Sequence, residues 1–442
     1  MKITFMGAGS TVFARNVIGD CMCVPSLRDS VFALYDIDPA RLEESRVILE
    51  AMRKQKGGYG KIECYVGVEN RRAALKGASF VINAIQVGGY EPSTVIDFEI
   101  PKKYGLRQTI GDTLGIGGIM RALRTIPVMQ DFADDMSEVC PDALFLNYTN
   151  PMAMLTGYML HYTPIKTVGL CHSVQVCSKS LLNHLDMSDK LEGRRELIAG
   201  INHMAWLLEL RDKDGNDLYP EIKSRVDAYI ESREPQHAYN KVRMDYIRNF
   251  GYFCTESSEH NAEYNPFYIK SKYPELIEKF CIPLDEYPRR CVSQIESWEK
   301  EYEEIKKTGI KDHVRSEEYA SHIMESIVEN KPYEIGGNVL NTGHLISNFP
   351  EEACVEVPCL VNGQGVRPCH VGSLPLVCAA MNMSNIAVQL LAVEAAHTKK
   401  KEYIYQAAMM DPHTSSELDI DSIKRMVDEM IEAHGDYLPK YH

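Results

Sequence analysis

The chain begins with a strand-forming run, Ile3-Thr4-Phe5-Met6, that passes straight into Gly7-Ala8-Gly9-Ser10-Thr11-Val12. A strand that ends in Gly-x-Gly and opens a helix has few uses. The first glycine makes a tight turn, the second lets a backbone approach a ligand, and the helix N-terminus favours negative charge. The third fingerprint position is Val12 and not glycine, and a bare Gly-x-Gly also serves as an ordinary turn. Up to about residue 170, short apolar runs alternate with longer amphipathic stretches, the pattern of βαβ units around a parallel sheet. Five strands are expected, at Ile3–Met6, Val31–Tyr35, Phe80–Ile85, Leu144–Asn147 and Thr167–Leu170. Helices are expected at Pro39–Lys54, capped by Asp38, and at Gly118–Val139. Beyond about residue 195 the alternation breaks down into mixed segments, with a charged helix near Ser297–Lys307 and one long helix from Asn385 to Met410.

Asp36 ends the second strand, 24 residues after Val12. An acidic side chain there binds an adenosine ribose 2′-hydroxyl and repels a 2′-phosphate, which favours NAD over NADP. Asp36 and Asp38 also fit plain loop carboxylates. The expected cofactor set is Gly7, Gly9, Ser10, Thr11, Val12, Asp36 and Asn83. The fold expected is therefore α/β, with a Rossmann-like NAD-binding domain over 1–195 and a mixed α+β domain over 196–442.

Composition narrows the partners. The 442 residues carry 48 basic and 62 acidic side chains, a net charge of −14, which repels phosphate backbones and argues against nucleic acid. A small uncharged substrate suits that surface better. The 13 cysteines are too thinly spread for a disulfide framework and read as reduced thiols in a cytoplasmic protein. The N-terminus lacks a signal-peptide pattern and no run approaches 18 uninterrupted apolar residues, so no membrane partner is expected.

Several polar clusters remain. Cys171-His172 follows the fifth strand and His203 lies in Gly200-Ile201-Asn202-His203. A thiolate and an imidazole could share a metal, although spacing alone fits a packed thiol and a core histidine more simply. Tyr264 sits in the polar run Glu259–Pro266; a tyrosine acts as a base only where a nearby cation lowers its pKa from about 10. Asn147-Tyr148-Thr149-Asn150-Pro151 suits sugar or ribose hydroxyls, or is an ordinary turn. Arg289-Arg290 is either a substrate clamp or a solvated basic pair.

At these residues the chain resembles the NAD- and manganese-dependent family 4 glycoside hydrolases, and among them the melibiase-type α-galactosidases. The resemblance runs nearly end to end through ITFMGAGSTVFARNVIGD, LYDIDPARLEES, NAIQVGGYEPSTVIDFEIPKKYGLRQT, GIGGIMRALRTIPV, NYTNPMAM, GLCHSVQV, AGINHMAWLLEL, YFCTESSEHNAEY, PLDEYPRRCV, AAMMDPHT and AHGDYLP. It implies a lactate/malate dehydrogenase-like architecture, with substrate, metal and oligomerisation assigned to 196–442, NAD and Mn²⁺ as cofactors, and a homodimer or homotetramer. It implies Cys171 and His203 as protein ligands of Mn²⁺, Tyr264 as base, His172 as proton donor, and Asn150 and Arg290 as sugar-binding residues. Softness alone would put zinc on a cysteine–histidine pair; in the family, substrate oxygens supply the harder ligands.

The implied substrate is an α-galactoside of the melibiose or raffinose type, with α-galacturonides and α-glucosides as alternatives. Gln86 stands where members acting on 6-phosphosugars carry arginine, which disfavours a phosphorylated substrate. In the implied reaction NAD⁺ takes hydride from C3, the C2 proton is removed, the C1–O bond breaks by elimination, water adds and the hydride returns. This family departs from the paired-carboxylate rule for glycosidases. Two rivals are a lactate- or malate-type dehydrogenase, disfavoured by the Cys171/His203 pair, and a nucleotide-sensing module, for which the second lobe is larger than needed.

Overall fold

A computed structural model describes all residues, 1–442. Twelve strands form one sheet. In chain order they are β1 (Lys2–Met6), β2 (Val31–Asp36), β3 (Lys61–Val66), β4 (Phe80–Asn83), β5 (Leu144–Asn147), β6 (Thr167–Leu170), β7 (Arg195–Ile201), β8 (Met204–Arg211), β9 (Phe253–Cys254), β10 (Tyr333–Leu340), β11 (Cys354–Asn362) and β12 (Gly365–Pro368). The first six are parallel in the order β3-β2-β1-β4-β5-β6, a Rossmann sheet whose switch-point crevice lies between β1 and β4. β10 then pairs antiparallel with β6, and β11, β7, β8 and β9 continue the sheet in antiparallel fashion. β12 pairs with β11.

The central parallel strands are buried on both faces, which is why their sequences are apolar runs without alternation. Helices pack around them as two sets. Thr11–Cys23 packs with Pro39–Gln55 and Tyr319–Glu329, and Gly115–Val139 packs with Arg71–Leu75, Met152–Tyr162 and Leu376–Thr398. One apolar core runs through both halves of the chain, with a smaller one beneath β7 and β8.

Several expectations need correction. The strand expected to Ile85 ends at Asn83, because Ala84 and Ile85 turn over Gly7; a Cβ at Gly7 would stand 2.8 Å from the Ala84 carbonyl oxygen. β3 was not among the five expected strands. It is a sheet edge with no fully buried residue, so its apolar pattern is weak. The single helix expected at Asn385–Met410 is two, Leu376–Thr398 and Lys401–Met410. Lys399 ends the first in the left-handed region, φ 60°. By length and composition alone Leu376–Thr398 is apolar enough to cross a membrane, although Asn382 and Ser384 interrupt its apolar run, as the sequence reading had it. It is packed as a core helix, and Asn382, Asn385 and Gln389 are buried on it.

Candidate active site

The Gly7–Gly9 turn is built from backbone. The N–H groups of Gly7 and Ala8 donate to the Tyr35 carbonyl (3.0 and 2.9 Å), fixing the turn against β2. Gly7 has φ 87°, a conformation glycine adopts without strain. Gly9 N–H donates to Asp36 Oδ2 (2.6 Å), and a Cβ at Gly9 would meet that oxygen at 2.7 Å. Asp36 also accepts from Asp38 N–H (2.9 Å), so its carboxylate fastens the turn. Ser10 caps the Thr11–Cys23 helix with no side-chain hydrogen bond to it. Thr11 is buried, its hydroxyl on Gly9 O and on Ser45, and Val12 is exposed. Asn83 lies below the cleft. It is fully buried and donates to Asn147 Oδ1 (2.9 Å) and Thr149 Oγ1 (3.2 Å).

From this turn a cleft of about 470 Å³ opens, lined among others by Ser10, Gln86, Asn150, Cys171, His172, His203 and Arg290. Its floor is assembled from distant elements. Cys171 follows β6. Asn202 and His203 are the two-residue tip of the β7–β8 hairpin, with His203 at φ 61°. Glu256 follows β9 at φ 68°, which sets it beside that tip. Two left-handed non-glycine residues in contact mark a strained, over-determined spot of the kind found at functional sites. One donor atom each from Cys171, His203 and Glu256 lie within 4.8 Å of one another, and Asp112, His203 and His260 form a second such set. Each set, the first with a sulfur, an imidazole and a carboxylate and the second with two imidazoles and a carboxylate, could hold a divalent cation, and they share His203. The carboxylates, which the sequence reading missed, supply the hard oxygen donors a cysteine–histidine pair lacks.

The electrostatics agree with that reading. Burial opposes charging of His203, yet Cys171 and Glu256 push it up to about 10. Burial likewise opposes ionisation of Glu256 and Asp112, but the fields of His203 and His260 hold both carboxyls below the ordinary range. The anionic donors thus draw positive charge towards their centre.

Tyr264 is buried below the cleft lining, its Oη 3.3 Å from His203 Nδ1. Its backbone oxygen accepts from Asn385 Nδ2 (3.1 Å) on the Leu376–Thr398 helix. Burial, with Asp112, Glu263 and Glu256 nearby, holds its phenol well above the ordinary value. His172 is exposed at the mouth and paired through Nε2 with Glu318, which raises its pKa. Glu318 also accepts from Tyr148 Oη (2.8 Å); nothing in the sequence connects residue 318 to residue 172. Asn150 Nδ2 donates to Asp112 (3.3 Å), and its buried Oδ1 has no protein partner. Arg290 lines the cleft but shares its guanidinium between Glu259 (2.7 Å) and Glu286 (3.0 Å), while Arg289 points to Leu284 and Glu286. Arg121, also missed, is buried and donates to the Asn150 carbonyl (3.2 Å).

The family profile described as "Family 4 glycosyl hydrolase" matches residues 2–187, and that of its C-terminal domain matches 198–414. An α-galactosidase of Bacillus subtilis is 58% identical over 440 residues, covering 100% of this chain and 99% of that protein. An α-galactosidase of Rhizobium meliloti is 34% identical, over 100% of this chain and 89% of the other. A 6-phospho-α-glucosidase from gut microorganisms, solved in complex with NAD and Mn²⁺, shares the fold, with a TM-score of 0.82 at 22% identity over 100% of this chain and 99% of that one. Matches along nearly the whole length, on a fold that sets the Gly7–Gly9 turn and a donor cluster about one cleft, place this chain in the family 4 glycosyl hydrolases.

Proposed function

We propose that the protein hydrolyses α-D-galactosides of the melibiose and raffinose type, with NAD and Mn²⁺ as cofactors. The observation that carries the chemistry is the convergence of Cys171, His203 and Glu256 donors in the cleft that opens from the Gly7–Gly9 turn. The choice of sugar is supported by the 58% identity with a named α-galactosidase. It is also supported by Arg290, whose charge is already shared by two carboxylates and leaves little for the carboxylate of a uronide.

The first glycine turn and the N-terminus of Thr11–Cys23 would hold the NAD pyrophosphate, and Asp36 the ribose. Cys171 and His203, with Glu256 and Asp112 in reach, would hold the cation. When bound, NAD would supply a hydride acceptor and donor, and Mn²⁺ would supply positive charge to the sugar oxygens. The protein's own groups do the rest. Tyr264 takes the C2 proton; its phenol comes into range only with positive charge in the donor cluster, because burial and then the carboxylates around it hold it high. His172, whose pKa the hydrogen bond with Glu318 raises, gives a proton to the leaving oxygen. Asn150 offers its unpartnered Oδ1 to a sugar hydroxyl, and Arg121 fixes the loop that presents it.

In this reading residues 1–195 carry the cofactor and 196–442 the substrate, metal and assembly surfaces, with Cys171 and His203 meeting across the division. All thirteen cysteines are free thiols, which suits the reducing cytoplasm. The exposed Leu376 and Val377 suit burial in a homodimer or homotetramer. The test is a panel of nitrophenyl α-galactoside, α-glucoside and α-galacturonide, assayed after dialysis against chelator and then with NAD⁺ and Mn²⁺ restored. Turnover of the galactoside alone, and only with both additions, is expected; full activity in the stripped protein would overturn the reading.

A further inference from the structure

The strands that deliver Cys171 and His203 are not neighbours. β6 and β7 are separated by β10 and β11, so the distance between the two residues is set by whatever spans that gap. A single rank of residues does so. Gly169 on β6 stands opposite Asn338 on β10, Asn338 opposite Glu356 on β11, and Glu356 opposite Gly200 on β7. The last is the one register pair between β11 and β7. The glycine at the β6 end makes room: a Cβ on Gly169 would lie 2.9 Å from Asn338 Cβ.

The two side chains between the glycines are polar and completely buried. Glu356 Oε1 accepts from Asn338 Nδ2 (3.0 Å) and from Asn202 Nδ2 (3.4 Å). Asn338 Nδ2 also donates to the Gly169 carbonyl (3.3 Å), two residues before Cys171. Asn202 is next to His203. Glu356, Asn338 and Asn202 are 1%, 0% and 0% exposed. A buried carboxyl group in a sheet interior is costly unless something compensates it, and here Glu356 Oε2, Asn338 Oδ1 and Asn202 Oδ1 all lack a protein partner. An apolar rank would pack the same space with no such cost, so stability alone does not account for this one.

We propose that Glu356, with Asn338 and Asn202, is a positioning residue that fixes the span between Cys171 and His203 and so sets affinity for the cation they hold. It rests on the reading of those two residues as metal ligands. The effect is geometric: one oxygen gathers two amides, each tied to one ligand-bearing segment. An amide oxygen can do the same. Groups that orient metal ligands typically govern affinity by about 10- to 100-fold.

The experiment is Mn²⁺ titration of the NAD-loaded protein, followed by the electron paramagnetic resonance signal of free Mn²⁺, with NAD affinity measured in parallel. Glu356→Leu is expected to weaken Mn²⁺ binding about 10- to 100-fold while NAD affinity stays within about twofold. Glu356→Gln should restore Mn²⁺ affinity to within about threefold of the parent. Unchanged Mn²⁺ affinity in a folded Glu356→Leu protein overturns the proposal. So does a Gln variant as weak as the Leu one, since charge rather than geometry would then be at work. Parallel loss of NAD affinity also overturns it, marking a general structural role. If Glu356→Leu does not fold, Asn202→Ala removes one arm and is judged by the same criteria. Cys171→Ser is the control for the underlying reading: if it too binds Mn²⁺ normally, the ligand assignment fails, whereas loss there with normal binding in the Glu356 variants rejects only the positioning role.

Discussion

The Gly7–Gly9 turn and the donor cluster face one cleft but are made of different material. The turn is backbone: two N–H groups on the Tyr35 carbonyl, one on Asp36, and glycines that let the chain pack closely on Ala84 and Asp36. All of it comes from residues 6–36. The cluster is side chains, drawn from residues 112, 171, 203, 256 and 260 and held together by an antiparallel extension of the sheet. A backbone site of this kind tolerates loss of single side chains, because its hydrogen-bond donors remain. A side-chain site does not, because each group carries a distinct charge or proton.

The strongest way to break this contrast is Tyr264→Phe. It removes one oxygen from the side-chain site and nothing from the turn, so turnover should fall by roughly 10²-fold or more while NAD affinity, read by fluorescence titration, stays as in the parent. If the variant turns over at half the normal rate, Tyr264 is a packing residue and His260, which lines the cleft, is the next base to examine.

A smaller effect separates the burial of the side-chain site from its chemistry. Glu263 is buried and accepts from the N–H groups of Thr109 and Gly111 (both 2.8 Å) and Ile110 (3.3 Å), holding the loop that carries Asp112. Burial nevertheless pushes its carboxyl from 4.5 up to about 7. The folded state then holds a proton that the unfolded chain has lost, so this contribution is complete below about pH 4.5 and disappears as pH rises through 7. Denaturant unfolding should show the parent losing at most about 3 kcal/mol over that range relative to Glu263→Gln. Parallel pH profiles for the two proteins would mean that the three N–H donors offset burial.

The smallest effect belongs to the turn. Asp36→Ala removes a charged acceptor but leaves the N–H groups of Gly7 and Ala8 on Tyr35 in place. NAD affinity should drop about tenfold, the value of one hydrogen bond to a charged group, and the preference over NADP should narrow. Parent protein that binds NADP as tightly as NAD would remove Asp36 from the ribose.

What the sequence disclosed follows the same division. Gly7, Gly9, Asp36 and the Asp38 cap act on near neighbours, so spacing along the chain revealed them; Asp38 does accept from Ala40 and Arg41 N–H. β3 escaped notice because an edge strand buries little, and the break at Lys399 because nothing in a run of lysines announces a left-handed residue. Cys171, His172, His203 and Tyr264 stood out through the family resemblance, since composition and spacing fit packed residues equally well. Glu256, Asp112, Arg121 and Glu318 gave no local signal. Their roles exist only once β9, the 108–112 loop and the loop before Tyr319–Glu329 have been folded against the end of β6.

The central claim is that a dinucleotide site and a base share one cleft because a proton leaves C2 during turnover. It is tested most directly by hydrolysing an α-galactoside in D₂O with NAD⁺ and Mn²⁺ present and examining the released galactose by proton NMR. Galactose with deuterium at C2 is the expected product. Galactose that retains its proton at C2 throughout would contradict the account, because displacement at C1 alone needs neither Tyr264 nor the turn at Gly7.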